Sequence, residues 1–410
     1  MNNEKYRVKL SILINSGVKE NQYFNYYNIK NNEINEYYEK ECYILRDNEI
    51  NKICKISSLI EDGIFDTKDI LFRLRKSIKE EDKFEIINPL KYNIKKTKNN
   101  IDNLDENAWY VIKSNEEKKI KNNNEKYILN KYDIIKLGKI KFEIIDIKDN
   151  TINKDEKDLK YNISRINREF GPLFDINLKT NQYKVKNEGN ENSVSKIDNL
   201  KYMNSSMIVK EESFIKCIKC EKPSETDDPL LNLCQCNKII HYKCLKDILR
   251  NNIVTNEKRN IIEYKCKNFL CNECLTLYPI QFKILDELYS LIDFGEQNIS
   301  NYLILEILND FNEKDDIVRK LYLIKLEHGQ KISIGRNLEN DVSIEYANSF
   351  VSGKHAEILN ENGNIIIKDN NSKFGTLVLI KGNVRVLEKK INLQVGNSYI
   401  TSNLEKNNNK

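Results

Sequence analysis

The distribution of cysteine constrains this chain more than any other feature of its sequence. The chain has 410 residues and ten cysteines, and eight of the ten lie between residues 217 and 274. Seven of these eight cysteines and one histidine form four spaced groups, C-x2-C, C-x-C, H-x2-C and C-x2-C. Two residues between paired cysteines allow both thiolates to reach one tetrahedral metal ion at about 2.3 Å. The spacing therefore predicts a compact metal-binding segment rather than a group of ordinary buried thiols.

Eight side chains at this spacing suffice for two ions with four ligands each. The expected ligands are Cys217, Cys220, Cys234, Cys236, His241, Cys244, Cys271 and Cys274. A catalytic zinc ion keeps one position open for water, and eight ligands for two ions leave none. We therefore expect two structural Zn²⁺ ions and no catalytic residue. Cys266 has no partner at ligand spacing, and Cys42 and Cys54 are expected to be isolated thiols.

The composition limits the setting in which this segment works. The net charge is +5, and Lys and Glu alternate along most of the chain, so we expect no nucleic-acid-binding face. No apolar run reaches the roughly 18 residues that span a bilayer, and the first residues lack a signal-peptide pattern. We expect a soluble intracellular protein, in the cytoplasm or nucleus and not at a membrane. Thiols there stay reduced, which favours metal binding over disulfides.

Hydrophobic patterning divides the chain into five segments. Short apolar runs between Asn-rich turns predict strands near both ends of the chain, and their spacing towards the C-terminus favours a β-sandwich. The stretch KILDELYSLIDFGE has apolar spacing suited to a short helix. We therefore expect a multidomain, mostly β fold. The segments are a β-rich domain at 1–148, a polar linker at 149–212, a zinc finger at 213–282, a helical connector at 283–300 and a β domain at 301–403.

The cysteine-rich segment resembles the RING-CH (RING-variant) zinc finger over roughly residues 214–281. The stretches CIKC, CQC, HYKCLKDIL and CNEC carry the resemblance, with Tyr-Pro after the last ligand. Fingers of this family hold two zinc ions in a cross-brace. The resemblance therefore implies that one ion is held by Cys217, Cys220, His241 and Cys244, and the other by Cys234, Cys236, Cys271 and Cys274.

RING-CH fingers commonly recruit a ubiquitin-conjugating enzyme and act as ubiquitin ligases without a covalent intermediate. This chain departs from the family at the recruiting surface, because Lys219 replaces an apolar residue and Ile248 replaces a tryptophan. The gap of four residues between Cys236 and His241 is also shorter than usual. A PHD finger, which binds histone tails, has the same ligand order and suits this gap. The finger is thus either a ligase module or a non-catalytic interaction module.

A second pattern begins near residue 335, with ISIGRNLENDVSI, VSGKHAEI and IKDNNSKFGTLV. It resembles the forkhead-associated (FHA) domain over about residues 318–403. The resemblance implies that Arg336 and Ser352 contact the phosphate of a phosphothreonine and that His355 supports the phosphate loop. Lys373 stands where it would add positive charge. A planar arginine fork and a hydroxyl suit a group with nearly two negative charges and three acceptor oxygens.

Two positions depart from the FHA pattern. Phe374 replaces the asparagine that usually precedes Gly-Thr and holds the peptide backbone, and Gly353 replaces a larger residue. We therefore expect phosphate binding with an altered contact to the rest of the peptide.

The stretch ILNKYDIIKLGKIKFEI near residues 127–145 resembles the last two strands of an FHA-like sandwich. No Gly-Arg or Ser-x-x-His precedes it. The segment 1–148 is therefore either a degenerate, non-binding FHA-like copy or an unrelated β domain.

Together these patterns predict a zinc-binding RING-CH/FHA protein that recognises phosphothreonine-containing proteins. It would act as a ubiquitin ligase or ligase-like adaptor, with a ubiquitin-conjugating enzyme as a second partner. The alternative is a non-catalytic scaffold that combines a PHD-like interaction module with a phosphopeptide-binding domain.

Overall fold

The computed structural model describes the chain in separate stretches. They are residues 6–14, 33–38, 41–45, 55–57, 70–76, 84–87, 108–112, 126–148, 174–177, 182–185, 215–225, 227–236, 238–284, 287–295, 299–308, 311–313, 316–346, 350–380, 385–387, 390–395 and 398–406. Cys42 lies in a described strand, but its side chain is not described. Cys54 lies outside the described residues.

These stretches form 29 strands and a single described helix, so the prediction of a mostly β fold is confirmed. The helix is α1 (Tyr242–Arg250). The strands are β1 (Tyr6–Ile14), β2 (Glu33–Tyr38), β3 (Glu41–Leu45), β4 (Lys55–Ser57), β5 (Ile70–Lys76), β6 (Phe84–Ile87), β7 (Ala108–Ile112), β8 (Lys126–Ile128), β9 (Ile134–Leu137), β10 (Ile140–Lys148), β11 (Phe174–Asn177), β12 (Gln182–Val185), β13 (Leu230–Leu231), β14 (Ile240–His241), β15 (Ile253–Lys258), β16 (Ile261–Lys267), β17 (Gln281–Ile284), β18 (Glu287–Ser290), β19 (Tyr302–Ile307), β20 (Phe311–Glu313), β21 (Asp316–Lys325), β22 (Lys331–Gly335), β23 (Val342–Ser343), β24 (Ala356–Glu361), β25 (Asn364–Asp369), β26 (Thr376–Leu379), β27 (Arg385–Leu387), β28 (Lys390–Val395) and β29 (Ser398–Lys406). Among the described residues, no helix has the length and apolar character needed to cross a membrane.

One long sheet runs through the molecule. Its strand order is β15-β16-β21-β19-β10-β9-β26-β7-β28-β29-β1-β2, with β20 paired to β21. Two five-stranded sheets accompany it, in the orders β4-β3-β5-β6-β27 and β23-β22-β24-β25-β8. The pairs β11-β12, β13-β14 and β17-β18 form short two-stranded sheets.

The strand order repeats on the two sides of the central β7–β26 pair. From β7 the long sheet continues as β28-β29-β1-β2, and from β26 it continues as β9-β10-β19-β21. The two five-stranded sheets match in the same way, with β27 and β8 at equivalent edges. The first half contains β1–β7 and is completed by β27–β29, which come late in the chain. The second half contains β19–β26 and is completed by β8–β10, which precede the finger in sequence. The two halves exchange their closing strands.

This exchange changes the expected place of the stretch near residues 127–145. In register, Phe142 of β10 pairs with Ile307, and Ile135 of β9 pairs with Val378. These strands thus belong to the half that contains the C-terminal pattern, and no separate domain closes at residue 148. Alternation of apolar residues determines which face of a strand is buried, but it does not select the neighbouring strand.

The long sheet carries apolar side chains on both faces of β19 and β21. Leu303 and Leu305 join a core that extends through both halves of the sheet system and also contains Leu74 and Leu393. Ile304, which points to the opposite face, belongs to a second core. That second core also contains Leu245, Leu249 and Phe269 of the cysteine-rich segment, so the segment packs directly on the sheet.

The described residues between 283 and 300 do not form the expected helical connector. The structure has a hairpin there, in which β17 and β18 pair Phe282 with Tyr289. The two rings stack with centroids 5.8 Å apart, and Ile284 is buried. Alternating contacts of this kind suit strands, and they outweigh a helical spacing inferred from one short apolar run. Within the expected linker, β11 and β12 pair as a second hairpin.

Candidate metal centre and phosphate-binding loops

The structure brings the eight expected metal ligands together in two groups of four. Within each group the candidate ligand atoms all lie within 4.8 Å of one another. One group is Cys217, Cys220, His241 and Cys244, and the other is Cys234, Cys236, Cys271 and Cys274. These are the two sets that the cross-brace resemblance implies. Either group could hold a metal ion.

The donor atoms suit a tetrahedral thiophilic ion. The sulfurs of Cys236 and Cys271 lie 3.7 Å apart, which is close to the edge of a tetrahedron with metal–sulfur bonds of about 2.3 Å. In the other group, Nδ1 of His241 lies 3.2 Å from the sulfur of Cys220. Three or four sulfur donors with at most one imidazole form the ligand set that proteins use for structural zinc.

The first C-x2-C pair is shaped by a tight backbone turn. The amide N–H of Glu221 donates to the carbonyl of Cys217, and the N–H of Cys217 donates to the carbonyl of Lys222, both at 2.9 Å. Glu221 has a φ of 60°, in the left-handed region that lets the chain reverse direction. The turn aims both cysteine side chains at one point.

The last C-x2-C pair repeats this turn. Leu275 N–H donates to the carbonyl of Cys271, and Cys271 N–H donates to that of Thr276, again at 2.9 Å. Leu275 has a φ of 55°, matching Glu221 in the first turn. The same local geometry therefore occurs once in each group of ligands.

Hydrogen bonds favour the thiolate form at two of the cysteines. Burial disfavours the Cys217 thiolate, but backbone N–H groups, including those of His241 and Lys219 at 3.4 Å from its sulfur, lower its pKa to about 6. A hydrogen bond with the Thr276 hydroxyl is the main cause that lowers the pKa of Cys274 to about 5. The thiolate is the form that binds metal, so the lowered pKa values favour the form in which these cysteines could act as ligands.

The pKa values of three other cysteines are raised, because burial and neighbouring thiols disfavour their thiolate forms. Burial raises the pKa of Cys234 and of Cys244 to about 12. The pKa of Cys236 is raised to about 11, mainly by a hydrogen bond with Cys274 and to a smaller extent by burial. A bound cation reverses such shifts, because a coordinating thiol loses its proton outright.

His241 is held in the orientation of a metal ligand. Its ring is buried, and Nε2 lies 2.8 Å from the carbonyl oxygen of Pro223, to which it donates. This bond leaves Nδ1 as the nitrogen with a free lone pair, and Nδ1 faces the sulfur of Cys220. Support of a ligating histidine through its second nitrogen is typical of metal sites.

Helix α1 begins immediately after His241 and carries Cys244 in its first turn. The Asp228 carboxylate accepts the backbone N–H of Lys243 at 2.8 Å near the start of the helix. Leu245 and Leu249 anchor the helix in the second core. The helix therefore connects one ligand group to the sheet.

The surface next to the first turn and the helix is apolar but interrupted by charge. Ile218 and Ile248 are 56% and 43% exposed. Lys219 donates from Nζ to the carbonyl of Cys244 at 3.2 Å and lies 4.0 Å from Asp247. The lysine thus lies between the turn and the helix, where RING-CH fingers place an apolar residue.

In the C-terminal half, the three expected phosphate contacts lie on loops that are hydrogen-bonded to one another. Arg336 follows β22, and its backbone N–H donates to the carbonyl of Ser352 at 3.0 Å. The backbone N–H of Lys373 donates to the Ser352 hydroxyl oxygen, also at 3.0 Å. Arg336 and Lys373 are exposed. The loops that carry these three residues are therefore adjacent.

His355 is fully buried beneath these loops. Its Nδ1 accepts the backbone N–H of Ser352 at 3.0 Å, while Nε2 donates to the carbonyl of Gly375 at 3.1 Å. The ring thereby connects the Ser352 loop to the loop that carries Lys373. This geometry is that of a support residue.

Two asparagines that the sequence did not single out also shape the site. Buried Asn340 donates from Nδ2 to the carbonyls of Asn337 and Gly353, both at 2.7 Å. A Cβ added at Gly353 would come within 2.9 Å of the movable end of the Asn337 side chain. A polar residue in a loop carries no periodic signal, so spacing alone could not identify Asn340.

Asp369 closes the loop between β25 and β26. Its carboxylate accepts the hydroxyls of Ser372 and Thr376 at 2.6 and 2.7 Å and the backbone N–H of Ser372 at 2.9 Å. These bonds hold Lys373 and Phe374 at the tip of a rigid loop.

Residues 332–400 match the family model of the FHA domain, which confirms the predicted domain over that range. No RING-CH family model matches the cysteine-rich segment. No curated protein and no solved structure matches the chain. The class that fold and comparison define is therefore a mostly β protein with a C-terminal FHA domain and two Cys/His clusters that could hold metal.

Proposed function

We propose that the protein is an adaptor that binds phosphothreonine-containing proteins through its FHA domain. The observation that carries this proposal is the arrangement of Arg336, Ser352 and Lys373 on loops fixed by His355, inside the matched domain. An arginine fork, a hydroxyl and an ammonium group together suit a dianionic phosphate.

Phosphopeptide binding by the full-length protein tests this proposal. A phosphothreonine peptide library should be bound, and the unphosphorylated library should not. Arg336→Ala should lower affinity at least tenfold, because a charge-assisted bidentate contact is lost. Arg250→Ala, an exposed arginine at the end of α1, serves as the matched control. Equal binding by Arg336→Ala and Arg250→Ala would exclude the phosphate assignment.

We further propose that the two clusters hold two structural Zn²⁺ ions and form a RING-like finger that acts as a ubiquitin ligase or ligase-like adaptor. The sulfur-rich tetrahedral donor sets and the exposed apolar residues Ile218 and Ile248 support this proposal. The finger would contribute no nucleophile and would act by positioning a ubiquitin-conjugating enzyme. Full-length protein should then build ubiquitin chains, and Cys217→Ala should abolish them.

A non-catalytic, PHD-like interaction module is the alternative for the finger. Lys219 favours it, because this lysine places a charge beside Cys244 where a conjugating enzyme would meet an apolar surface. The double variant Lys219→Ile, Ile248→Trp separates the two functions. Activity that appears only in the double variant would identify a scaffold whose ligase surface has been lost.

A further inference from the structure

An aromatic pair borders the loops that carry the expected phosphate contacts. Phe350 lies two residues before Ser352, and Phe374 directly follows Lys373. The ring centroids are 5.4 Å apart with an interplanar angle of 81°, an edge-to-face arrangement. Phe350 is nevertheless 42% exposed. A partly hydrated aromatic surface therefore lies beside the candidate phosphate site.

Phe350 is incompletely buried and has an uncommon backbone conformation. A ring stabilises a fold in proportion to the apolar area that it removes from water, and much of this ring stays in water. The φ of Phe350 is 55°, a left-handed conformation that is uncommon for a bulky residue. Such strained residues concentrate at binding sites, where the surrounding structure holds them.

Two lysines flank the rings, and one of them precedes the cysteine-rich segment in the sequence. Nζ of Lys373 lies 5.2 Å from the centroid of Phe374, and Nζ of Lys139 lies 4.6 Å from that of Phe350. Lys139 belongs to the turn between β9 and β10, within the exchanged strands. The exchange thus delivers a residue from before the finger to the face of the FHA domain.

We propose that Phe350, Phe374 and Lys139 form an aromatic shelf that receives an apolar, preferably aromatic, side chain of the bound phosphothreonine peptide. This inference rests on the proposed phosphothreonine binding and specifies its ligand. Phe374 stands where the FHA pattern has an amide that could hydrogen-bond a peptide backbone, so its side chain offers an apolar contact instead. Lys139, Lys373 and Arg336 add positive charge that complements a phosphopeptide.

Selection from an oriented phosphothreonine library by the full-length protein tests the shelf. The wild-type protein should enrich Phe, Tyr, Trp or Leu at one fixed distance from the phosphothreonine. Phe374→Ala should lose this preference and bind the best aromatic peptide about tenfold more weakly. Its affinity for a phosphopeptide with alanine at that position should change less than about twofold, because the phosphate contacts remain.

Phe350→Asn provides a second variant that should fold, because asparagine tolerates a φ of 55° better than most residues. It should weaken the same preference, whereas Leu288→Asn, which replaces another exposed apolar residue, should leave it intact. Wild-type selection without apolar enrichment would overturn the shelf. So would enrichment of acidic residues that depends on Lys139 alone. Loss of phosphate dependence in the wild-type protein would instead refute the proposed function itself.

Discussion

At the scale of single residues, the phosphate loop depends on the absence of a side chain at Gly335. A Cβ added there would lie 2.2 Å from the carbonyl oxygen of Gly353 and 2.9 Å from Nδ2 of Asn340. The first contact is with a backbone atom. It can therefore be relieved only by moving the Gly353 loop or the end of β22 that precedes Arg336. Glycine at position 335 therefore allows the Arg336 loop and the Gly353 loop to lie against each other.

Gly335→Ala should therefore destabilise the protein by about 1–3 kcal/mol and weaken phosphopeptide binding. Gly353→Ala is the matched control, because its Cβ would meet the movable end of the Asn337 side chain at 2.9 Å, and it should cost less. Urea denaturation and peptide titration on both variants measure the two effects. If Gly335→Ala proved as stable as Gly353→Ala, the close approach of the two loops would be disproved.

The two groups of candidate ligands should each bind one zinc ion. Native mass spectrometry of the wild-type protein should find two Zn²⁺ ions, and treatment with a strong chelator should remove both and unfold the finger. Cys244→Ala should retain fewer than two ions, because three ligands remain in its group. Cys266→Ala should retain both, since Cys266 is buried but belongs to neither group. Loss of an ion from Cys266→Ala would show that the ligand sets are wrong.

The sequence predicted residues with distinctive chemistry far better than it predicted their supports. Cysteine at short fixed spacing has few alternative uses, so the spacing alone was enough to identify the eight candidate ligands that the structure brings together. Asn337 and Asn340 could not be identified in this way, because asparagine is frequent throughout this chain and their effect depends on contacts with Gly353. Lys139 likewise acquires its position only from strand exchange.

At the scale of elements, the finger contacts the long sheet at Arg319 of β21, a residue that also forms a buried ion pair within the sheet. Strand β16 pairs with β21, and at this junction Nε of Arg319 donates to Glu306 at 2.7 Å with both side chains buried. Arg319 also donates to the carbonyl of Tyr278 and stacks over Phe269, both in the cysteine-rich segment. One arginine therefore satisfies groups on both sides of the junction.

Arg319→Ala should destabilise the protein by about 3 kcal/mol or more, because buried Glu306 would lose the guanidinium that forms an ion pair with it. Lys325→Ala, on the same strand, breaks a solvent-exposed pair with Glu257 at 3.2 Å and should cost less than about 1 kcal/mol. Chemical denaturation measures both, and hydrogen exchange of β16 amides should rise only in Arg319→Ala. Similar stability losses in the two variants would contradict a structural role for the buried pair.

Element type was predictable where the pattern was long and ambiguous where it was short. The alternation of Ile140, Phe142 and Ile144 predicted a strand, and β10 contains all three. The sequence of apolar residues after 283 fits a helix equally well. The structure instead pairs β17 with β18 and stacks Phe282 on Tyr289 across the hairpin. Short apolar runs carry too little periodicity to distinguish these structures.

At the scale of the whole molecule, sequence similarity and spatial assembly divide the chain differently. The FHA family match extends to residue 400 and thus includes β28 and the first residues of β29. In the structure those strands pair with β7 and β1 in the first half, while β9 and β10 close the second half against β26 and β19. The exchanged strands are equivalent in topology, so the two arrangements compete for the same positions.

This competition supports a prediction about fragments of the chain. Residues 299–380 followed by a flexible linker and residues 108–148 should fold as a monomer, because all strands of the second half are then present in one fragment. Residues 299–406 contain β27–β29 instead, and their Leu393 and Ile400 are shaped for the core beside β7 and β1. This fragment should be less stable and should associate with a fragment of residues 1–148, since each supplies strands that the other lacks. Size-exclusion chromatography with light scattering, urea denaturation and phosphopeptide titration on both fragments measure the outcome. A monomeric, stable and phosphopeptide-binding 299–406 fragment would show that the closing strands of each half work equally well in their own sequence order, and the exchange would then lose its structural significance.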